Sequence, residues 1–352
     1  MKKNKTFHFS FEVKLRVHKM ARKATIKDVA KLTGLSLGTI SKYMNGGAVK
    51  NSNRERIDAA VKELGYSVDE YARGLITNRT KTVGLLIPEF SNLFYAQIAS
   101  ELEHELNRYG YAIAACESFY DINKERQSVL WLNSRRMDAL VIVPCGRNAA
   151  DYDYLKNISA PVIFVDQYIP DMNVDFCVVN NREICRKCTG YLLDIGHRNI
   201  AVAAAESGLY TADERIKGYI DAYEERGIAV SEELIMRIPE NMNAAYKTIK
   251  DKLSRRDCTA LFATNFPNTV GSMFAINDLK LSIPTELSFV GFDDMMFTKI
   301  FHPKLTIIDQ PILQIAECIT KRIFELLEEE EYSYRFNEMR CSLKVNESTA
   351  RL

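Results

Sequence analysis

Histidine is scarce in this 352-residue chain, and the five present, His8, His18, His104, His197 and His302, are too scattered for metal-ligand or catalytic-triad spacing. The motifs G-x-x-x-x-G-K-[ST] and H-E-x-x-H are absent, which removes the phosphate-loop and zinc-protease signatures. No run of eighteen apolar residues occurs, so no membrane span is expected. The opening MKKNKTFHFSFEVKLRVHKM is basic but lacks an apolar h-region and a small-residue cleavage site. It is not read as a signal peptide, and a cytoplasmic protein is expected.

Cysteine is present but makes no framework. The eight residues are spread over the body, mostly in apolar runs such as AIAACES, LVIVPC and DFCVVNN, where a free thiol acts as a small hydrophobe. Cys185 and Cys188 have redox or zinc-ligand spacing, but no matching second pair exists and both fall in a helical stretch. Packing is the expected role. No metal or cofactor is implied.

Net charge is nearly absent, at +1, yet it is unevenly placed. Residues 1–82 hold 18 Lys+Arg against 7 Asp+Glu, whereas residues 83–352 hold 29 against 39. A basic head on an acidic body is the asymmetry expected when one end meets phosphates and the other avoids them.

The basic head contains TIKDVAKLTGLSLGTISKYMN, from Thr25 to Asn45. Thr25 supplies an N-cap with Asp28 in the first turn, and Ile26, Val29 and Ala30 fall on one face, with Leu32 at its margin. Thr33 and Gly34 end that helix; Ser36 caps a second, with Ile40 and Met44 facing inward. Two short helices around a glycine turn read either as a helical hairpin inside a larger α-rich domain or as a helix-turn-helix, whose second helix enters the DNA major groove, and the basic charge of this end favours the helix-turn-helix. Leu37, Gly38, Thr39, Ser41 and Lys42 then face outward. Ile57, Ala60, Val61 and Leu64 mark a third helix stopped by Gly65, which completes the headpiece over residues 24–66. Residues 1–23 are expected to be a disordered extension. Met20, just ahead of the first helix, favours an upstream start codon as the origin of residues 1–19. Residues 67–81, polar and basic, form a hinge with a short helical piece from about Ser67 to Leu75.

From Thr82 the texture changes. Apolar runs of strand length (TVGLLIP, YAIAACES, DALVIVP, APVIFVD, FCVVNN, NIAVAAA, TALFATN, LSFVGFDD) alternate with amphipathic helical segments. Strands buried on both faces with helices between them predict parallel, doubly wound α/β sheets. Eight such strands plus a late return, KLTIIDQ, predict two lobes over residues 82–352, the first ending near Asp166 and the second starting near Asn180. PILQIAECITKRIFELLEEEE and the strand-like NEMRCSLKVNEST finish this two-lobed core.

Ligands of such sheets bind beyond the carboxyl ends of the strands. Those ends bring Glu89, Asn92, Phe94, Tyr95, Asp166, Asn265 and Asp293 together, and Arg215 begins a helix facing the same crevice. Rings beside Asp, Asn and Arg suit a polyhydroxylated ligand. Read singly, each polar residue is first a cap for the next helix; the cluster is what points to a site. Asp293 and Asp294 do not make an acid pair for catalysis, because adjacent strand residues point to opposite faces.

TIKDVAKLTGLSLGTISKYMNG, the stretch ELGYSVDEYARGLITNRTKTVGLLIP, and GFDD with HPKLTIIDQP together resemble the lactose-repressor and galactose-repressor (LacI/GalR) family of bacterial transcription regulators, from about Ala24 to the end of the chain. The resemblance implies that Leu37, Gly38 and Lys42 hold the base-choosing positions, with Leu37 toward a thymine methyl and Lys42 toward a guanine edge. Thr25, Ser36, Thr39, Ser41 and Asn45 take phosphate-positioning or framework places. Leu75 matches the hinge leucine that wedges into the minor groove, and Gly74 beside it departs from the usual better helix formers.

In the core, the resemblance assigns effector contacts to Phe94, Tyr95, Asp166, Arg215, Asn265, Asp293 and Gln310. Phe266 and Pro267 depart from the acid often found after the asparagine. The implied protein is a homodimer reading a pseudo-palindromic double-stranded operator under control of a small molecule, most simply a carbohydrate. Repression is the expected sense, and no leucine heptads call for a tetramer. A solute-binding transport protein would share the core but would carry a signal peptide and no DNA-binding head.

Overall fold

The structure, a computed structural model, describes residues 24–44, 46–66, 79–329 and 333–352. The chain divides into two compact units, residues 1–77 and 78–352.

In the first unit the helices are α1 (Ile26–Thr33), α2 (Leu37–Met44) and α3 (Asn51–Leu64). The Asp28 carboxylate accepts from the Thr25 backbone N–H at 2.8 Å and from its hydroxyl at 2.7 Å, closing the first turn of α1. Gly34, in the left-handed conformation at φ 65°, ends α1 and donates its N–H to the Ala30 carbonyl. Val29, Ile40, Ile57 and Ala60 form the buried centre. Leu32 departs from its expected place on the inner margin: it is 46% exposed, and Thr33 is buried instead. The Thr33 hydroxyl donates back to the Val29 carbonyl at 2.8 Å, so its burial leaves no orphan. Arg56 from α3 reaches the Thr33 carbonyl, and Tyr43 donates to Asp58 at 2.7 Å.

The second unit contains two six-stranded sheets. The first is built from β1 (Thr82–Ile87), β2 (Ala112–Glu117), β3 (Ala139–Ile142), β4 (Val162–Val165), β5 (Asp175–Val179) and β11 (Phe336–Met339), in the order β11-β5-β4-β3-β1-β2. The second takes β6 (Ile200–Ala205), β7 (Ile235–Ile238), β8 (Ala260–Ala263), β9 (Ser288–Phe292), β10 (Thr306–Asp309) and β12 (Ser342–Lys344), in the order β12-β10-β9-β8-β6-β7. Every pairing is parallel except β10 with β12. The two lobes therefore repeat one doubly wound topology, each with its switch point beside its first strand.

The first lobe runs past Asp166, because β5 pairs with β4 and adds a fifth strand before the chain crosses. β7 was not among the expected strands, and the C-terminal stretch divides into β11 and β12, one for each sheet. The connecting helices are α4 (Leu93–Asn107), α5 (Ile122–Ser134), α6 (Asn181–Asp194), α7 (Tyr210–Glu224), α8 (Met242–Ser254), α9 (Phe266–Asp278) and α10 (Ile312–Glu328). α10 returns to the first lobe, where Ile315, Ile319 and Ile323 pack with Ile98 and Leu102 of α4. Its Arg322 pairs with Asp175 at 2.7 Å, both side chains buried. The chain thus crosses between lobes three times: after β5, after β10 and between β11 and β12.

Gly218 fixes how closely α7 lies on α6, since a Cβ there would overlap the Arg182 carbonyl oxygen. That approach carries Arg215 to Asn181. Cys185 and Cys188 lie inside the α6 packing face, burial pushing both thiols up, the first to about 12. All eight cysteines are free.

Candidate effector cleft and nucleic-acid interface

The strand ends of both lobes meet in one cleft. On the first-lobe side, the Asn92 side-chain oxygen accepts from the Phe94 N–H at 3.1 Å and so caps α4. Phe94 and Tyr95, in the first turn of that helix, are buried with ring centroids 5.2 Å apart. Phe94 belongs to the first-lobe core, whereas the Tyr95 hydroxyl points to Asp166 Oδ2 at 3.5 Å. Asp166 follows β4 in the left-handed region at φ 70° and is buried. Gln167 beside it donates to Asp166 at 3.3 Å and to the Thr211 hydroxyl of α7 at 2.9 Å, bonding one lobe to the other.

On the second-lobe side Arg215 is the centre. Its Nε donates to Asn181 Oδ1 at 2.7 Å, its Nη1 to the Thr264 carbonyl, and its guanidinium lies 4.1 Å from the Phe292 ring centroid. Asn265 caps α9 by accepting from the Asn268 N–H at 2.9 Å, and its amide reaches Glu240 at 3.4 Å. Asp293, at φ 72°, ends β9 and accepts from Gln310 Nε2 at 2.7 Å. Asp294 turns away to Lys344 at 2.7 Å and Thr298 at 3.1 Å, so the adjacent acids do separate.

Burial dominates the acid–base character of this cleft. It pushes the Asp293 carboxyl up to about 6 and the Glu240 carboxyl up to about 7, Arg215 opposing both shifts. Asp166 is raised for the same reason, against the pull of Arg215, Gln167 and Tyr95. A cavity of about 200 Å³ opens here, lined by Pro88, Tyr95, Tyr120, Gln167 and Glu240 among others. A larger one, about 630 Å³, lies against Ala149–Asn157 at the amino ends of β4 and β5, away from the carboxyl ends that form the cleft.

Of the residues singled out in the sequence, Tyr95, Asp166, Arg215, Asn265, Asp293 and Gln310 bring polar groups to this cleft. Asn92 is a cap and Phe94 a core residue. Glu240, Gln167 and Asn181 were missed. Glu240 stands just past β7, the strand the sequence did not reveal, and Gln167 and Asn181 each directly follow a strand-end residue. Among the described residues no group of three or more His, Cys, Asp and Glu could hold a metal ion. Nor is any described helix long and apolar enough to cross a membrane.

In the headpiece, Ser36 Oγ accepts from the Thr39 N–H at 3.2 Å and lies 2.9 Å from its hydroxyl, fixing the start of α2. Leu37, Gly38 and Lys42 are exposed, Leu37 by 45%, while Thr39 and Ser41 are half-buried. Thr25 stands at the start of α1. Asn45, Leu75 and the helical piece expected from Ser67 lie outside the described residues.

Residues 25–69 match the family of bacterial regulatory proteins of the lacI type, and residues 80–344 match the periplasmic binding proteins and sugar-binding domain of the LacI family. The chain belongs to the LacI family. Among LacI-family relatives, the transcriptional repressor PurR of Vibrio vulnificus is 29% identical over 94% of this chain and 99% of its own. The transcriptional regulator DegA of Bacillus subtilis is 27% identical over 84% and 88%. The ribose operon repressor of Halalkalibacterium halodurans is 28% identical over 92% and 97%. In fold, the chain resembles the lac repressor dimer bound to operator and the anti-inducer ONPF, with a TM-score of 0.82 at 20% identity over 94% of this chain and 100% of that one.

Proposed function

We propose that this protein is a sequence-specific DNA-binding repressor, acting in the cytoplasm as a homodimer on a pseudo-palindromic operator. A small molecule bound between the core lobes, a sugar or sugar derivative, controls its operator affinity. The observation that carries the reading is Arg215. A guanidinium is held rigidly by Asn181, Thr264 and Phe292 where strand ends from both lobes converge. Such an arrangement favours one lobe angle when a ligand fills it.

Leu37, Gly38 and Lys42 are proposed to meet base edges, and Thr25, Ser36, Thr39, Ser41 and Asn45 to position the backbone. Leu75 is proposed to wedge into the minor groove at the centre of the site. Asn92, Phe94, Tyr95, Asp166, Asn265, Asp293 and Gln310 shape or contact the effector site around Arg215. A ligand moves the DNA equilibrium only by its differential affinity for the two states, typically about 1–3 kcal/mol. No catalytic step is assigned to the cleft. The ribose operon repressor among the relatives supports the sugar reading.

The test selects operator sequences with the full-length protein and titrates the winner by gel shift with and without a sugar panel. A palindromic consensus whose affinity moves with one sugar supports the reading. Absence of any sequence preference overturns it, and an effector response retained in Arg215→Ala moves the pocket elsewhere.

A further inference from the structure

The polar wall of the cleft is one-sided. Acceptors gather here: Glu240 lines the cavity, Asp166 acts on both Glu240 and Asp293, and Gln310 Oε1 is buried with no hydrogen-bond partner among the described residues. Donors are fewer, and several are engaged within the protein, though the buried Tyr120 hydroxyl and the Asn268 amide nitrogen have no hydrogen-bond partner among the described residues. Arg215 spends Nε and Nη1 on Asn181 and Thr264, Tyr95 points to Asp166, and the Gln310 amide goes to Asp293. Among the described residues, Glu240 holds only the long 3.4 Å hydrogen bond from Asn265.

Charge tells the same story. Arg215 is the cation acting on Asp166, Glu240 and Asp293, and Glu89 adds a further negative charge against Glu240. Arg147 and Glu206, of opposite charge, both line the cavity. A phosphate or carboxylate ligand would bring more acceptors and more negative charge to such a wall. A neutral polyol would satisfy lone pairs and leave the charge uncompensated. An ammonium is a donor-only group with three N–H bonds and one positive charge, and Tyr95 and Tyr120 line the cavity together with Glu240, aromatic rings and a carboxyl being groups that suit a cation.

We propose that the effector is an amine-bearing polyol, an amino sugar or close analogue. Its ammonium sits among Glu240, Asp166 and the Tyr95 and Tyr120 rings, with its hydroxyls toward Gln310 and Asn265. This rests on the reading of the cleft as the effector site. Glu240 is the specificity residue: it lies at a strand end, half-buried and weakly partnered, a carboxyl that ionises readily only when a counter-charge is brought to it.

The experiment is calorimetric titration of the full-length protein at neutral pH with glucosamine, galactosamine, mannosamine, their parent hexoses and their 6-phosphates. At least one amino sugar is expected to bind about tenfold or more tightly than its parent hexose and its phosphate. In Glu240→Gln, an isosteric change whose folding is checked by its melting midpoint, that ratio is expected to fall close to one. A hexose or phosphate that matches or beats the amino sugar overturns the proposal, as does an undiminished amine preference in Glu240→Gln. Binding of nothing in the panel also overturns it. The cleft itself is judged separately through Arg215→Ala. Hexose binding without amine preference that is lost in this variant removes the amine and keeps the cleft, whereas amine binding that survives in it removes both.

Discussion

Gln310 donates from Nε2 to Asp293 Oδ1 at 2.7 Å, joining the end of β9 to the segment that carries the chain back to the first lobe. The bond places a cleft carboxylate in direct contact with an interlobe crossing. What happens to the Asp293 charge is therefore felt at the point where the lobes can change their angle.

Removing the donor leaves Asp293 buried with one partner fewer. Gln310→Leu is expected to lower stability by about 1–3 kcal/mol, the usual cost of orphaning a buried polar group. Asp293→Asn in the same chain should recover part of that loss, since a neutral amide is cheaper to bury than a carboxylate. A double-mutant cycle by urea unfolding decides the matter, and simple additivity of the two changes would show that the contact carries no coupling.

The raised cleft acids give the unliganded protein an unusual pH profile. Asp293 moves from its ordinary 3.8 to about 6 and Glu240 from 4.5 to about 7. Between those values the folded state holds protons that the unfolded chain has already released, so their contribution to stability falls as pH rises from about 4 to about 7. It levels off above that window. Asp278 and Glu286 run the other way, their carboxyls lowered chiefly by the hydrogen bonds of Lys250 and of the Ser282 backbone, so they contribute stability that is lost on acidification. The full-length protein should lose melting temperature between about pH 5 and 7, and Glu240→Gln should flatten that decline. A wild-type midpoint that climbs across the window would show the cleft acids to be fully ionised.

The headpiece has little core to spare. Ile57 is fully buried among Val29, Ile40 and Ala60. Ile57→Ala deletes methylenes from a centre that small and should cost about 2–5 kcal/mol, enough to unfold a domain of marginal stability. Operator binding should then vanish while the thermal response of the two-lobed core to its ligand persists. Retained gel-shift affinity would mean that DNA contact restores the lost packing.

The parts of this molecule that could be read from sequence are those in which local chemistry and burial agree. TVGLLI is legible as β1 because the strand is buried almost throughout. Thr25 and Asp28 are legible as a helix start because their bonds are made within one turn. β7 is not, since IMRI buries only Met236 and Ile238 and exposes part of Arg237 at the sheet edge. Losing that strand hid Glu240 beyond it. β11 and β12 are short edge strands with exposed alternate positions, and which sheet each joins is decided by α10 crossing between lobes rather than by the strands themselves. Arg215 was visible as a helix residue facing the crevice. Its partners Asn181 and Thr264 were not, because the first is brought to it by the close approach of α6 and α7 at Gly218 and the second by the end of β8, far along the chain.

Lys42 offers a test of base reading against simple charge attraction. It is exposed in the last turn of α2, two residues beyond the buried Ile40. A lysine that donates to a guanine edge contributes at one operator position, and its loss costs about 1–3 kcal/mol there while relaxing the preference. A lysine that only neutralises a phosphate weakens all sequences alike and reduces the salt slope by about one. Lys42→Ala is expected to show the first pattern in a selection experiment run beside salt titrations: one position of each half-site loses its preference, and the remaining positions keep theirs. An unchanged consensus with a shallower salt dependence would assign Lys42 to the backbone and leave base choice in this helix to Leu37 and its neighbours.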